Sequence, residues 1–475
     1  MERWATIAFA VLCAATAIGA LVYPTYPNYD SYYSLLWGRE VLDGGLPHFE
    51  GFRLPTEHPL AIVAGAVLAV FGAAGDRLWI LLILASFLAL VAGVYRLGRV
   101  AFTPLVGVVA ALLVLSRFDF GFLAARGYID IPYLALVIWA VALEATRPRR
   151  GVPVFVLLTL AGLLRPEAWL LLGLYFLWMW PASTWRQRGG WALFAAVAPL
   201  GWGLVDGIVT GDPLFSLHYT SNSAEDLGRA RSVSEIPAAI PGFLTAIVKL
   251  PVMLAGLAGL VAATVLVPRR AAWPAVLLVT GVATFGAIGV AGLSAIERYL
   301  VVAALGVLVF AAFAAAGWTV LVPGTALRRG WMTVAGLCVA FVGVLTVLNL
   351  DLRGFDNELR FRGDAHRSLE QVLEAPAVKA ALRCGPLTLP SHKLVPDARW
   401  IADLPFERVW ARVQTSSVKY AKREQRTGVA VVVLGRFAIF KQAWTDDLDP
   451  ADAQLPPATW KLAARSADYA AYARC

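Results

Sequence analysis

Charge is what this chain has least of. Only 15% of its 475 residues are Asp, Glu, Lys or Arg, against about 25% in an ordinary soluble domain. That shortage excludes a water-soluble globular fold. The rest of the composition agrees, with 59% hydrophobic residues and a mean hydropathy of +0.67. Short-period repeats and low-complexity tracts are also missing, which sets aside a repeat array and a disordered linker. The first apolar segment ends in ALVYPTYP, without a small-x-small site, which argues against a cleaved signal peptide. The net charge of +9 points to no nucleic-acid partner, because it resides in short arginine clusters between apolar segments.

Long apolar runs take the place of charge. A transmembrane helix needs about 20 mostly apolar residues, and such windows recur. They fall near 4–23, 78–97, 102–116, 130–146, 152–164, 168–183, 191–209, 242–267, 272–293, 299–322 and 331–349, for about eleven spans. The stretch 59–75 is apolar but rich in small residues and barely long enough. If it lies at the interface and the N-terminus is cytoplasmic, five arginine groups share one side: Arg96/Arg99, Arg147/Arg149/Arg150, Arg186/Arg188, Arg269/Arg270 and Arg328/Arg329. That is the positive-inside pattern. The chain therefore reads as a multi-pass protein of the cell membrane, mainly α. Residues 1–350 form a transmembrane helix bundle. Residues 351–475 form a soluble, extracytoplasmic α/β domain.

On this topology the polar residues gather on the outer side. They occupy the loops Tyr23–Pro59, Arg117–Ile129 and Thr210–Pro241 and the tips Arg165–Glu167 and Ser294–Arg298. Ionisable groups at membrane depth are expensive and mark a site or a pathway. In the first loop, Asp30 precedes an apolar-patterned stretch ending at Gly44-Gly45. This reads as a short amphipathic helix lying on the bilayer, with Asp30 either its N-cap or a general base. Glu57 and His58 sit between prolines, where they would bind a cation or a phosphate unless His58 is simply solvated. Arg126 and Asp130 are four apart and share a face if the local structure is helical. Arg165-Pro166-Glu167 interrupts a long apolar run, as an exposed hairpin. His218 lies in the fourth loop. Glu297, Arg298 and Tyr299 open a late apolar helix.

Arginine matches phosphate through its planar fork of donors. Arg126, Arg165, Arg298 and His58 are thus the candidates for an anionic headgroup. Glu57, Asp130, Glu167, His218 and Tyr299 are candidates for contacting substrate or metal. A divalent metal, if used, would draw on Asp30, Glu57, His58 and Asp130 as oxygen and nitrogen ligands; no spacing signature demands one.

These elements together resemble the polytopic GT-C glycosyltransferases, the class of the protein O-mannosyltransferases and the bacterial aminoarabinose transferases. The resemblance covers roughly the first 350 residues. It rests on Asp30 in a large first outer loop, on Glu57-His58-Pro59 closing it, on Ala125-Arg126 followed by Asp130, and on Arg298-Tyr299-Leu300. The chain departs from the pattern at Ser31, where many relatives carry a second acid, and at His58, where they carry Lys.

The resemblance implies a hexosyl- or pentosyltransferase in a bacterial cell envelope. Its donor would be a polyprenyl-phosphate-linked sugar, its surroundings membrane lipids, and its acceptor a hydroxyl of a glycan, lipid or protein. Asp30 would take the acceptor proton as the anomeric centre inverts. The alternative is a lipid or sugar transporter or flippase without transferase activity, which would show inverted repeats and charges near mid-bilayer.

In the tail, LTLP, RVWARV, GVAVVVLG and FAIF read as strands and HRSLEQVLEAPAVKAAL as helix. Cys13 and Cys338 fall in apolar spans. Cys384 and Cys475 are the two cysteines of the tail, and an oxidising compartment would let them pair.

Overall fold

A computed structural model describes residues 2–226, 233–348, 351–413, 425–434 and 459–475. The helices in order are α1 (Glu2–Val22), α2 (Tyr29–Leu42), α3 (Pro59–Ala69), α4 (Gly75–Ala101), α5 (Pro104–Ser116), α6 (Phe118–Ala125) and α7 (Asp130–Thr146). There follow α8 (Val152–Leu164), α9 (Ala168–Met179), α10 (Trp185–Thr210), α11 (Phe215–Asp226), α12 (Ile236–Val248) and α13 (Leu250–Leu266). Then come α14 (Pro268–Val290), α15 (Val301–Ala316), α16 (Ala326–Leu348), α17 (Leu352–Glu374), α18 (Pro376–Cys384) and α19 (Val395–Ala402). The chain divides into two compact units. The first is Met1–Gly19, His58–Leu60 and Leu82–Leu352; the second is Ala20–Glu57, Ala61–Leu81 and Arg353–Cys475.

Every apolar segment counted in the sequence is helical, but they are unequal. Among the described residues six helices are long and apolar enough to cross a membrane, and eight if two bent pairs, α5 with α6 and α12 with α13, each count as one. Helices α8 and α9, with 13 and 12 residues, reach roughly 18–20 Å, well short of a hydrocarbon core of about 30 Å. Helix α3 has 11 residues and reaches about 16 Å. Apolar composition alone overstates the number of full crossings, since it does not report where a proline or a polar turn ends the helix.

The first unit is built around α15. All its residues except Ala314 and Ala315 are buried, and α5, α12, α13, α14 and α16 pack around it. A helix apolar on every side is stable only when surrounded in this way.

The second unit contains a five-stranded sheet. Its strands are β1 (Leu387–Leu389), β2 (Val409–Ala411), β3 (Gly428–Val433), β4 (Lys461–Arg465) and β5 (Tyr469–Arg474), in the order β2-β1-β3-β5-β4. Strand β1 runs parallel to β2 and β3, while β5 is antiparallel to β3 and β4. All six residues of β3 are buried, as expected of a strand covered on both faces. Leu369 and Val372 of α17, Val378 of α18 and Ala398 of α19 close over the sheet.

The long helix expected at 366–382 is two helices, α17 and α18, because Pro376 starts a new one. The FAIF segment lies outside the described residues. Strands β4 and β5 were not anticipated; their alanine-rich sequences carry little strand signal. Cys384 and Cys475 form a disulfide that ties the end of α18 to the residue after β5.

Helix α2 also belongs to the second unit, and it departs from expectation. Its residues from Ser31 to Gly38 are all buried, so it is not a surface helix with one wet face. Helix α3 crosses it backbone to backbone: a Cβ on Gly65 would fall 2.2 Å from the Ser34 carbonyl oxygen. Helix α19 packs against α2 as well, and Trp37 donates its indole N–H to the His48 carbonyl at 2.8 Å. The α2–α3 contact has no side-chain tip that can yield. Gly65→Ala should therefore cost about 1–3 kcal/mol, read as a lower unfolding midpoint of the purified protein. An unchanged midpoint would show that the two backbones have room to part.

Candidate functional site

The first unit brings four separated segments to one buried cluster. Helix α6 ends at Arg126, and the chain turns through Gly127 at φ +71, a conformation open to glycine. Helix α7 then starts afresh at Asp130. The shared helical face expected for Arg126 and Asp130 is therefore not formed. Arg126 lies over the rings of Phe122 and Tyr128, at 5.0 and 5.5 Å.

Asp130 is fully buried, and its partners come from far along the chain. Arg165 Nη1 donates to Asp130 Oδ1 at 2.5 Å, and Arg298 Nε lies 3.7 Å from the same oxygen. Arg165 occupies the turn between α8 and α9. Its extended backbone is the one that a following proline imposes. The expected exposed hairpin is exposed only at Pro166. Arg165 is 5% exposed and points inward. Its Nη2 and Nε donate to Glu167 Oε1 at 2.7 and 3.1 Å. The guanidinium also lies over the rings of Tyr299 and Tyr133, at 5.1 and 5.7 Å. Arg298 is looser, with its side chain 28% exposed and its guanidinium over Tyr128 at 5.7 Å.

His58 stands edge-on to Trp202, with centroids 5.6 Å apart. Burial, with the charges of Arg165 and Arg298, pushes its imidazolium down to about 3. The ring is thus neutral near pH 7 and adds no positive charge, contrary to the reading of the sequence. The cluster balances instead: two arginines face two carboxylates. Asp130 Oδ2, Glu167 Oε2 and His58 Nδ1 are buried in it with no hydrogen-bond partner among the described residues. Each such orphan costs about 1–3 kcal/mol.

Other candidates lie elsewhere. His218 pairs with Asp212 at 2.7 Å in the turn that leads into α11. Asp212 also accepts the Leu214 N–H there, so His218 serves local turn geometry. Asp30 and Glu57 belong to the second unit. Asn28, not Asp30, caps α2, accepting the N–H groups of Asp30 and Ser31 at 2.8 and 3.3 Å. Asp30 sits in the first turn, half-buried, where the helix N-terminus favours a carboxylate. Glu57 is 1% exposed.

Among the described residues no group of three or more His, Cys, Asp and Glu side chains is placed to hold a metal ion. The sequence did not single out Tyr128, Tyr133 and Trp202; for the two tyrosines the available signal was an aromatic beside or one turn beyond Arg126 and Asp130, while Trp202 lies in an apolar run with no charged motif beside it.

A helical bundle followed by a small α/β region is the architecture expected from the sequence. The structure superposes on ArnT from Cupriavidus metallidurans bound to undecaprenyl phosphate with a TM-score of 0.58 and 14% identity, covering 100% of this chain and 98% of that one. The apo state of the same enzyme gives a TM-score of 0.55 and 15% identity, covering 99% and 98%. At that identity the likeness is one of fold. No protein-family profile matches the chain, and no curated protein matches it.

Proposed function

We propose that this protein transfers a sugar from a polyprenyl-phosphate donor to an acceptor hydroxyl. The transfer takes place at the outer face of the cell membrane, inverts the anomeric centre and uses Asp30 as general base. Two lines support the reading. One is the shared fold with an ArnT that carries undecaprenyl phosphate. The other is a buried cluster of arginines and carboxylates with acceptor atoms left over. The outward orientation rests on the arginine clusters, which are cytoplasmic if the N-terminus is.

The two arginines have different work. Arg165 is committed to Asp130 and Glu167 and holds them in place. Arg298 is partly exposed, with 28% of its side chain accessible, so a phosphate can reach its guanidinium. As the glycosidic C–O bond breaks, negative charge builds on the lipid phosphate. A fixed guanidinium in a water-poor setting stabilises it. The orphaned oxygens of Asp130 and Glu167 accept hydroxyl hydrogens of the sugar. A divalent cation held by those same oxygens would compete with Arg165 and Arg298 for the two carboxylates.

The contrast between buried Arg165, bonded to two carboxylates, and partly exposed Arg298 carries this assignment. A hydrogen bond to a charged group is worth about 1.5–3 kcal/mol, or roughly 10- to 150-fold in affinity. Arg298→Ala is therefore expected to raise the donor KM by that factor while the protein stays folded. A donor KM within twofold of the unaltered protein would remove Arg298 from the phosphate site.

A further inference from the structure

The second unit has a buried titratable cluster of its own, outside anything used above. His366 of α17 is 6% exposed. Its Nδ1 lies 3.0 Å from Asp397 Oδ1 of α19 and 3.3 Å from the Tyr32 hydroxyl of α2. Its Nε2 lies 3.9 Å from Asp76 Oδ2 at the head of α4, and that same oxygen accepts the Tyr32 hydroxyl at 3.1 Å. The ring of Tyr26 stacks on the imidazole, 3.5 Å between centroids and 10° from parallel. Arg77 lies over Tyr26 at 5.2 Å and donates to the Thr25 carbonyl at 2.5 Å. Arg362 donates to the Tyr26 and Pro27 carbonyls at 3.4 Å. The charges bearing on the ring are thus Asp397, Asp76 and Glu370 of its own helix, with Arg77 and Arg362 holding the segment that carries Tyr26.

Two carboxylates at a buried ring call for a cation between them, since burying charges without a partner costs several kcal/mol. Tyr32 is the element of α2 drawn into that arrangement. It lies two residues after Asp30 on the same helix. We propose that His366 is a positioning residue: as an imidazolium between Asp76 and Asp397 it clamps Tyr32 and thereby fixes the helix that presents Asp30. The catalytic consequence rests on the assignment of Asp30 as base; the clamp itself does not.

Burial pushes the imidazolium down, but Asp397 and Asp76 outweigh it and hold the ring above its ordinary value of 6.5. A raised value in the folded state means the clamp acts in full below the ordinary value. It is lost as pH rises through the raised one.

The test uses the full-length protein in detergent. Amide exchange of α2 is followed against pH, corrected for intrinsic rates, in the unaltered protein and in His366→Gln and Asp397→Asn. Below pH 6.5, exchange in α2 is expected to be about tenfold slower in the unaltered protein than in His366→Gln, and the gap should close as pH rises. Asp397→Asn should move the loss of protection to lower pH. If His366→Gln does not fold, the pH dependence of the unaltered protein and of Asp397→Asn decides. Protection of α2 that is indifferent to pH in both overturns the clamp.

For sugar transfer at pH 6, His366→Gln should lower kcat about tenfold with the donor KM unchanged. An unchanged kcat overturns the positioning role. If exchange behaves as expected and no protein transfers sugar, the clamp stands and the transferase reading falls.

Discussion

Replacing Asp30 by Asn is expected to lower the turnover number for sugar transfer by about 10²- to 10⁴-fold, the range that a positioned general base contributes. The substitution keeps the shape and a hydrogen-bonding oxygen but removes the lone pair that takes the acceptor proton. The helix start should survive, because Asn28 and not Asp30 satisfies the first N–H groups of α2. The attraction of the carboxylate to the helix N-terminus contributes about 0.3–1 kcal/mol. The measurement is turnover with a purified lipid-linked donor, with the unfolding midpoint taken in parallel. Turnover within a factor of three of the unaltered enzyme, in a folded Asp30→Asn protein, would strip Asp30 of the role.

The second large effect is on stability. Arg165→Met should destabilise the first unit by about 3–5 kcal/mol, the cost of leaving buried charges without their partner. Asp130 and Glu167 both lean on this guanidinium, and Arg298 Nε lies 3.7 Å from Asp130. The isosteric neutralisation Asp130→Asn, made in the Arg165→Met background, should recover part of the loss. Their coupling in a double-mutant cycle should exceed 0.5 kcal/mol, as for residues in direct contact. Arg165→Lys keeps the charge but not the fork that bonds two carboxylates at once, so it should fall between. An unfolding midpoint of Arg165→Met equal to that of the unaltered protein would mean the cluster tolerates two uncompensated carboxylates, and the reading of Arg165 as its anchor fails.

Parts of the site were legible beforehand for local reasons. Asp130 heads an apolar helix, where a carboxylate is costly unless it is used. Arg165-Pro166-Glu167 breaks a long apolar run, and a proline there forces the turn that aims Arg165. The sequence did not disclose that Arg165 reaches Asp130, 35 positions earlier, or that Tyr133 and Tyr299 lie against its guanidinium. Periodicity also misjudged α2. Its mixture of aromatic, charged and apolar residues looks like a surface helix, yet α3 and α19 cover it. His58 looked like a cation until Arg165 and Arg298 stood beside it.

The sequence alone determined the helices, their apolar character and the class of fold. A segment in hydrocarbon satisfies its backbone only within itself, so that information is local. Pairings, burial and charge state were decided by the tertiary structure. They depend on which distant groups share a low-dielectric space, and no window along the chain contains both partners.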